Sequence, residues 1–149
     1  MPCLSNSRPN GETAMTSVTS GSCQCGAVRF AIHGPFENFY LCHCSRCRKD
    51  TGSAHASNLF SSKATIVWHG GNDRIVHYRI PGTRHARSFC AICGSGLPNV
   101  QMDGALLVVP AGCLDDEVVI SPDAHICLSS RASWEDRMAD VPRLAGLPE

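Results

Sequence analysis

The sequence predicts a mainly β domain of small antiparallel sheets with little helix. Three observations predict it. Apolar and β-branched residues fall in runs of strand length, glycine, proline and aspartate turn signals separate those runs, and no long segment repeats its apolar residues at helical spacing. A chain of 149 residues, 43% hydrophobic and 17% charged, fits one globular domain with a modest core.

Residues 1–20, rich in Ser, Thr, Asn, Gly and Pro, read as a flexible tail before an ordered domain over 21–149; Met15 offers an alternative start. The first strand is expected over Gly26 to His33, where Ala27 to Ile32 is bounded by Gly26 and Gly34-Pro35. Further strands are expected at Glu37 to Leu41, Ala54 to Leu59, Thr65 to His69, Arg74 to Ile80, Ala86 to Phe89, Leu97 to Met102 and Ala105 to Val109. Gly70-Gly71, Pro81-Gly82, Gly94-Ser95-Gly96 and Asp103-Gly104 separate them, and the last is the strongest hairpin signal. One helical turn is expected over Ser45 to Asp50.

Lys+Arg and Asp+Glu are both 13, so the formal charge is zero and a broad phosphate-binding surface is not expected. No segment has the ~20 apolar residues a membrane span needs, and the N-terminus lacks an apolar run of secretory length. These features predict a cytoplasmic protein with no membrane partner. Its ten cysteines, in a reducing compartment and at close spacing, are then metal ligands rather than a disulfide framework.

Seven cysteines form three clusters: Cys23-Gln24-Cys25, Cys42-His43-Cys44-Ser45-Arg46-Cys47 and Cys90-Ala91-Ile92-Cys93. Zinc takes four tetrahedral ligands, and each short spacing brings two thiolates to one ion from a single turn. Two pairs, Cys23/Cys25 with Cys90/Cys93, make a closed structural site. The triplet Cys42, Cys44 and Cys47 makes a three-ligand site with an open position. Other arrangements stay open on spacing alone. His55, His85, Cys113 or His125 could close the triplet, the triplet could be a redox cluster, or Cys23/Cys25 could join Cys42/Cys44 and leave Cys47 with Cys90/Cys93. Cys3 reads as incidental in the tail, and Cys127, between Ile126 and Leu128, as a small core residue.

Taken together, Gly21-Ser22-Cys23-Gln24-Cys25-Gly26, Cys42 to Arg48 and Phe89-Cys90-Ala91-Ile92-Cys93-Gly94 resemble the glutathione-dependent formaldehyde-activating enzyme family, of which the centromere protein V domain is a relative. Val109-Pro110-Ala111-Gly112, Leu114-Asp115-Asp116, His125-Ile126 and Ser129 to Trp134 extend the resemblance over residues 21–147. It implies a β-tent stapled by structural zinc, with Cys23, Cys25, Cys90 and Cys93 on one ion and Cys42, Cys44 and Cys47 on the second. It also implies S-(hydroxymethyl)glutathione synthase activity, a carbon–sulfur lyase in reverse, with glutathione or a similar thiol and a small aldehyde as partners.

A zinc ion with three thiolates is a weak Lewis acid but lowers the pKa of an entering thiol. Water, His43 or His55 is the expected source of the proton for the new hydroxyl, a choice that geometry decides. Arg46, Arg48, Lys49, Arg84 and Arg87 are the cations near the motifs that could meet the carboxylates of glutathione, although charged side chains of this kind usually face water. His43, between two ligands, is expected to point away from their metal, either packed behind the ligands or at the surface, His125 as a structural hydrogen-bonding residue, and Trp134 as a core or edge cap. The alternative function is a zinc-stabilised binding module without turnover.

Overall fold

The structure is a computed structural model that describes residues 17–149; Cys3, Met15 and most of the segment read as a tail lie outside the described residues. Three small sheets make up the domain, as the pattern of short apolar runs predicts. The first pairs β1 (Val18–Ser22), β2 (Arg29–His33) and β5 (Thr65–Gly70) antiparallel, with β2 in the middle. Being central, β2 buries Phe30, Ala31 and Ile32 in succession, and Phe30 meets Trp68 edge-on with ring centroids 5.5 Å apart.

The second sheet has β4 (Ala56–Ser61) at its centre, flanked by β3 (Asn38–Cys42) and β10 (Leu106–Pro110), with β9 (Asn99–Gln101) beside β10 and β11 (Ala124–Ile126) beside β3. Only the β11–β3 pairing is parallel among these. The third sheet is β6 (Ile75–Arg79), β7 (Ala86–Cys90) and the two-residue β8 (Gly96–Leu97). Helix α1 (Ser45–Thr51) follows β3 and ends where Gly52 takes a left-handed φ of 63°.

Several boundaries differ from the expected ones for local reasons. The strand expected from Gly26 begins at Arg29, because residues 23–28 form a turn in which the Cys23 N–H donates to the Val28 carbonyl (3.0 Å) and Gly26 has a φ of 78°. The run expected from Leu97 to Met102 is two strands in two sheets. Pro98, buried between them, has no N–H to give a ladder, and the chain changes sheet there. Strand β1 starts inside the segment read as tail. Its polar sequence is held by Phe30 beneath Gly21, and by Ser20 N–H and Ser22 hydroxyl bonds to the Asp116 and Asp115 carboxylates (2.7 and 2.8 Å). The Asp103-Gly104 signal marks a real hairpin, β9 to β10, although its connection is a 3-10 turn with Met102, Asp103 and Gly104 all at positive φ.

The core comprises Val28, Phe30, Ile32, Phe36, Phe39, Leu59, Leu97, Leu107, Val109 and Ile120, together with Cys23 and Cys90. Two cysteines of the motifs are therefore packed into the hydrophobic centre. Two placements expected to be buried are not: Cys127 is exposed at a left-handed φ of 56°, and Trp134 is 55% exposed.

Gly71 is a position where a side chain does not fit. Its φ is 78°, and a Cβ there would lie 2.1 Å from the Ala27 carbonyl oxygen, against the turn that carries the first cysteine pair. Gly71→Ala is expected to cost at least ~1–3 kcal/mol. The check is a melting temperature several degrees below that of the parent protein.

Candidate functional site

The seven motif sulfurs fall into two groups. Sγ atoms of Cys23, Cys25, Cys90 and Cys93 lie within 4.8 Å of one another, and so do those of Cys42, Cys44 and Cys47. Cys47 thus stays with Cys42 and Cys44, and the alternative grouping is not the one the fold assembles.

The four-cysteine group is built from two similar turns. Each presents a cysteine pair followed by a glycine in the left-handed region, Gly26 (φ 78°) and Gly94 (φ 77°). In each turn a backbone N–H points at the first sulfur: Val28 to Cys23 Sγ at 3.3 Å and Ile92 to Cys90 Sγ at 3.4 Å. Ser95 joins the turns, because its hydroxyl accepts from the Gln24 N–H (2.8 Å) and is bonded to Cys93 Sγ (3.3 Å). Those Ser95 contacts bring the Cys93 thiol down to about 5. A tetrahedral zinc with Zn–S near 2.3 Å separates its sulfurs by about 3.8 Å. The Cys23–Cys25 and Cys25–Cys90 separations are 3.6 and 3.9 Å, so the donor set could hold such an ion.

The triplet sits where β3 runs into α1. Cys42 ends the strand, Cys44 is the helix N-cap, and Cys47 lies buried in the first turn, its N–H donating to Cys44 Sγ at 3.4 Å. Alternation along extended backbone sends Cys42 and Cys44 to one side and His43 to the other. His43 is accordingly fully buried, not at the surface, and its Nε2 is 2.8 Å from Nδ1 of His125 on the neighbouring β11. Burial pushes the Cys44 thiol up, but the Cys47 N–H and its two sulfur neighbours more than offset this, and its pKa is lowered. Burial first, and then the other thiols, raise Cys47 well above the ordinary thiol range; burial also raises Cys42. Three converging thiols of this kind could hold a cation, and no fourth His, Cys, Asp or Glu among the described residues joins their cluster.

A cleft of about 890 Å³ opens over the triplet, with Cys42, Cys47, His55, His85, Asp50 and Arg87 on its walls. His55 lies 3.2 Å from the Ser57 hydroxyl, and burial, then the nearby His43 and His125, hold its pKa below the ordinary imidazole value. His85, a candidate fourth ligand by sequence, instead places Nε2 2.5 Å from the Asp50 carboxylate. Cys113 also reaches the cleft, outside the triplet cluster, and burial pushes its thiol up to about 12.

Among the cations expected near the motifs, Arg87 is the one that lines this cleft, with its guanidinium 5.0 Å from the centre of the Phe89 ring. Arg46, Lys49 and Arg84 are exposed, and Arg48 is half-buried with its Nε unpaired. Sequence reasoning missed Asp50, Ser95 and Glu135. Asp50 meets His85 35 positions away, Ser95 takes the Gln24 N–H 71 positions away, and Glu135 nears His43 only through the fold, so a lone Asp, Ser or Glu carries no local signal.

In sequence and in fold the chain is similar to known proteins. The family model described as glutathione-dependent formaldehyde-activating enzyme matches residues 18–130. The chain belongs to this family. A Halomonas elongata protein named "putative glutathione-dependent formaldehyde-activating enzyme" is 35% identical over 127 residues, covering 78% of this chain and 79% of that one. A Rhodobacter sphaeroides protein of known structure is similar in fold, with a TM-score of 0.53 at 20% identity over 71% of this chain and 98% of the other. Membership fits the mainly β architecture and the cysteine groups that could hold metal. Among the described residues no helix is long and apolar enough to cross a membrane.

Proposed function

We propose that this protein is a cytoplasmic, zinc-dependent carbon–sulfur lyase or synthase that forms and breaks the adduct of glutathione, or a similar thiol, with formaldehyde or another small aldehyde. One observation carries the reading: three cysteine sulfurs converge, two of them, Cys42 and Cys47, on the wall of a large cleft, and no fourth side-chain ligand among the described residues joins their cluster. Two zinc ions per chain fit the donor sets. Cys23, Cys25, Cys90 and Cys93 would hold a closed structural ion, and Cys42, Cys44 and Cys47 an ion with one free position. The second ion, when bound, supplies a place where an entering thiol loses its proton near neutral pH.

The chain's own residues account for the rest of the reaction. Sulfur adds to the carbonyl carbon, the C–S bond forms, and the carbonyl oxygen becomes a hydroxyl that takes up the proton the thiol released. His55, on the cleft wall and held towards its neutral form, suits accepting and returning that proton. Arg87 offers the cation for a carboxylate of a peptide thiol. A cleft near 890 Å³ is within the size range of small-molecule sites.

The test is the exchange rate between free formaldehyde and its glutathione adduct, followed by NMR at rising protein concentration. A rate above buffer and proportional to protein is expected. Saturable thiol binding with no gain over buffer would replace the enzyme with a zinc-stabilised binding module.

A further inference from the structure

A third cluster of metal-type donors lies outside the seven cysteines. The imidazoles of His43 and His125 and the carboxylate of Glu135 bring one donor atom each within 4.8 Å of one another. Three separate parts of the fold supply them. His43 comes from the loop between β3 and α1, His125 from the edge strand β11, and Glu135 from the first residue of a 3-10 turn in the C-terminal segment. His55 adds a third imidazole, its ring centroid 5.1 Å from His43 and 6.1 Å from His125.

The hydrogen-bonding inventory of this cluster is incomplete. His43 is fully buried, and while its Nε2 meets His125, its Nδ1 has no partner. Glu135 is half-buried, and among the described residues its carboxylate makes no hydrogen bond or ion pair. Of these, only His43 Nδ1 is a buried polar atom without a partner, a state that costs roughly 1–3 kcal/mol, while the Glu135 carboxylate keeps access to water and His43 Nε2, Nδ1 of His125 and Glu135 converge on one point.

We propose that His43, His125 and Glu135 form a further metal site, for a divalent first-row transition ion that favours nitrogen and oxygen ligands. Two neutral imidazoles and one carboxylate suit such an ion better than they suit calcium or magnesium, which prefer all-oxygen shells. Its charge also suits the surroundings. Two imidazoles, a carboxylate and a divalent ion sum to +1, beside a triplet that with zinc would sum to −1. The site would clip the C-terminal segment, which leaves Met138, Val141 and Leu144 exposed, to the loop that carries the triplet. It does not require that the protein catalyse anything.

The experiment uses the full chain with its cysteine groups saturated with zinc, equilibrated with Co²⁺ and analysed for both metals. One added cobalt per chain is expected, with zinc retained and no intense thiolate-to-cobalt absorption. His125→Ala and Glu135→Gln are expected to weaken that cobalt by at least ~10–100-fold while zinc content stays unchanged. Glu135→Gln keeps the side-chain volume on a half-exposed turn, so it remains informative if His125→Ala perturbs β11. The inference fails if no added cobalt binds, if thiolate bands reveal displacement of zinc, or if both variants bind cobalt as tightly as the parent.

Discussion

Cys90→Ser is expected to leave the chain largely unfolded at temperatures where the parent protein is folded. Cys90 has no exposed surface, and with Cys23 it belongs to the same buried cluster as Phe30, Leu59 and Leu97. The loss would therefore act on the core and on the closed metal site together. Zinc at a four-thiolate site stabilises a small fold by roughly 10–16 kcal/mol, whereas a whole domain has a net stability of about 5–15 kcal/mol. Three remaining thiolates and a hydroxyl would retain only part of that. The measurement is a thermal melt by circular dichroism with zinc analysis, beside the parent protein with and without a strong chelator. A chelated parent should resemble the variant. A variant that melts within a few degrees of the parent would mean that the sheets, not the ion, hold the two cysteine turns together.

That expectation draws on features of unequal legibility in the sequence. The strands with alternating or continuous apolar residues, such as Thr65–Gly70 and Leu106–Pro110, were readable because their own side chains pack, half-buried at alternate positions in the first and buried at Leu107, Val108 and Val109 in the second. Strands β1 and β11 were not, because their sequences, Val-Thr-Ser-Gly-Ser and Ala-His-Ile, carry few apolar residues of their own; β1 is held by pairing with β2 and by Asp115 and Asp116 more than 90 positions away, and β11 by parallel pairing with β3. Proline was visible at position 98, but a single run spanning it concealed a change of sheet.

The cysteine groups illustrate the same division. Local spacing delivers sulfurs in pairs or a triplet, so membership of each short cluster is a sequence property. Which clusters meet is decided by how the β1–β2 turn of the first sheet meets the end of β7 in the third, and spacing alone left that open. The Asp50–His85 pair spans 35 positions and His43–His125 spans 82, so neither contact has a local signature. His43 points away from the cysteine side as expected, but it is buried rather than at the surface because the strand alternation continues one residue past β3, with β11 covering that side.

Cys44→Ser is expected to separate chemistry from folding. Cys44 is the N-cap of α1, and its sulfur accepts the Cys47 N–H. Serine is among the best N-cap residues, so its hydroxyl would take over that bond and α1 should persist. Cys47, buried in the first helical turn, offers no such clean replacement. The substitution leaves two thiolates for the second ion, and loss of one first-sphere ligand should exceed the ~10–100-fold effect of removing an outer partner. The four-cysteine group is on other turns and is untouched. Zinc should therefore fall from two ions per chain to one, the melting temperature should change little, and the protein-dependent rate of thiol–aldehyde exchange should fall by at least ~100-fold. A folded variant with one zinc and undiminished exchange would remove the triplet from the chemistry and leave it a binding or structural centre. A variant that loses both ions would instead show that the two cysteine groups fill and empty as one cooperative unit.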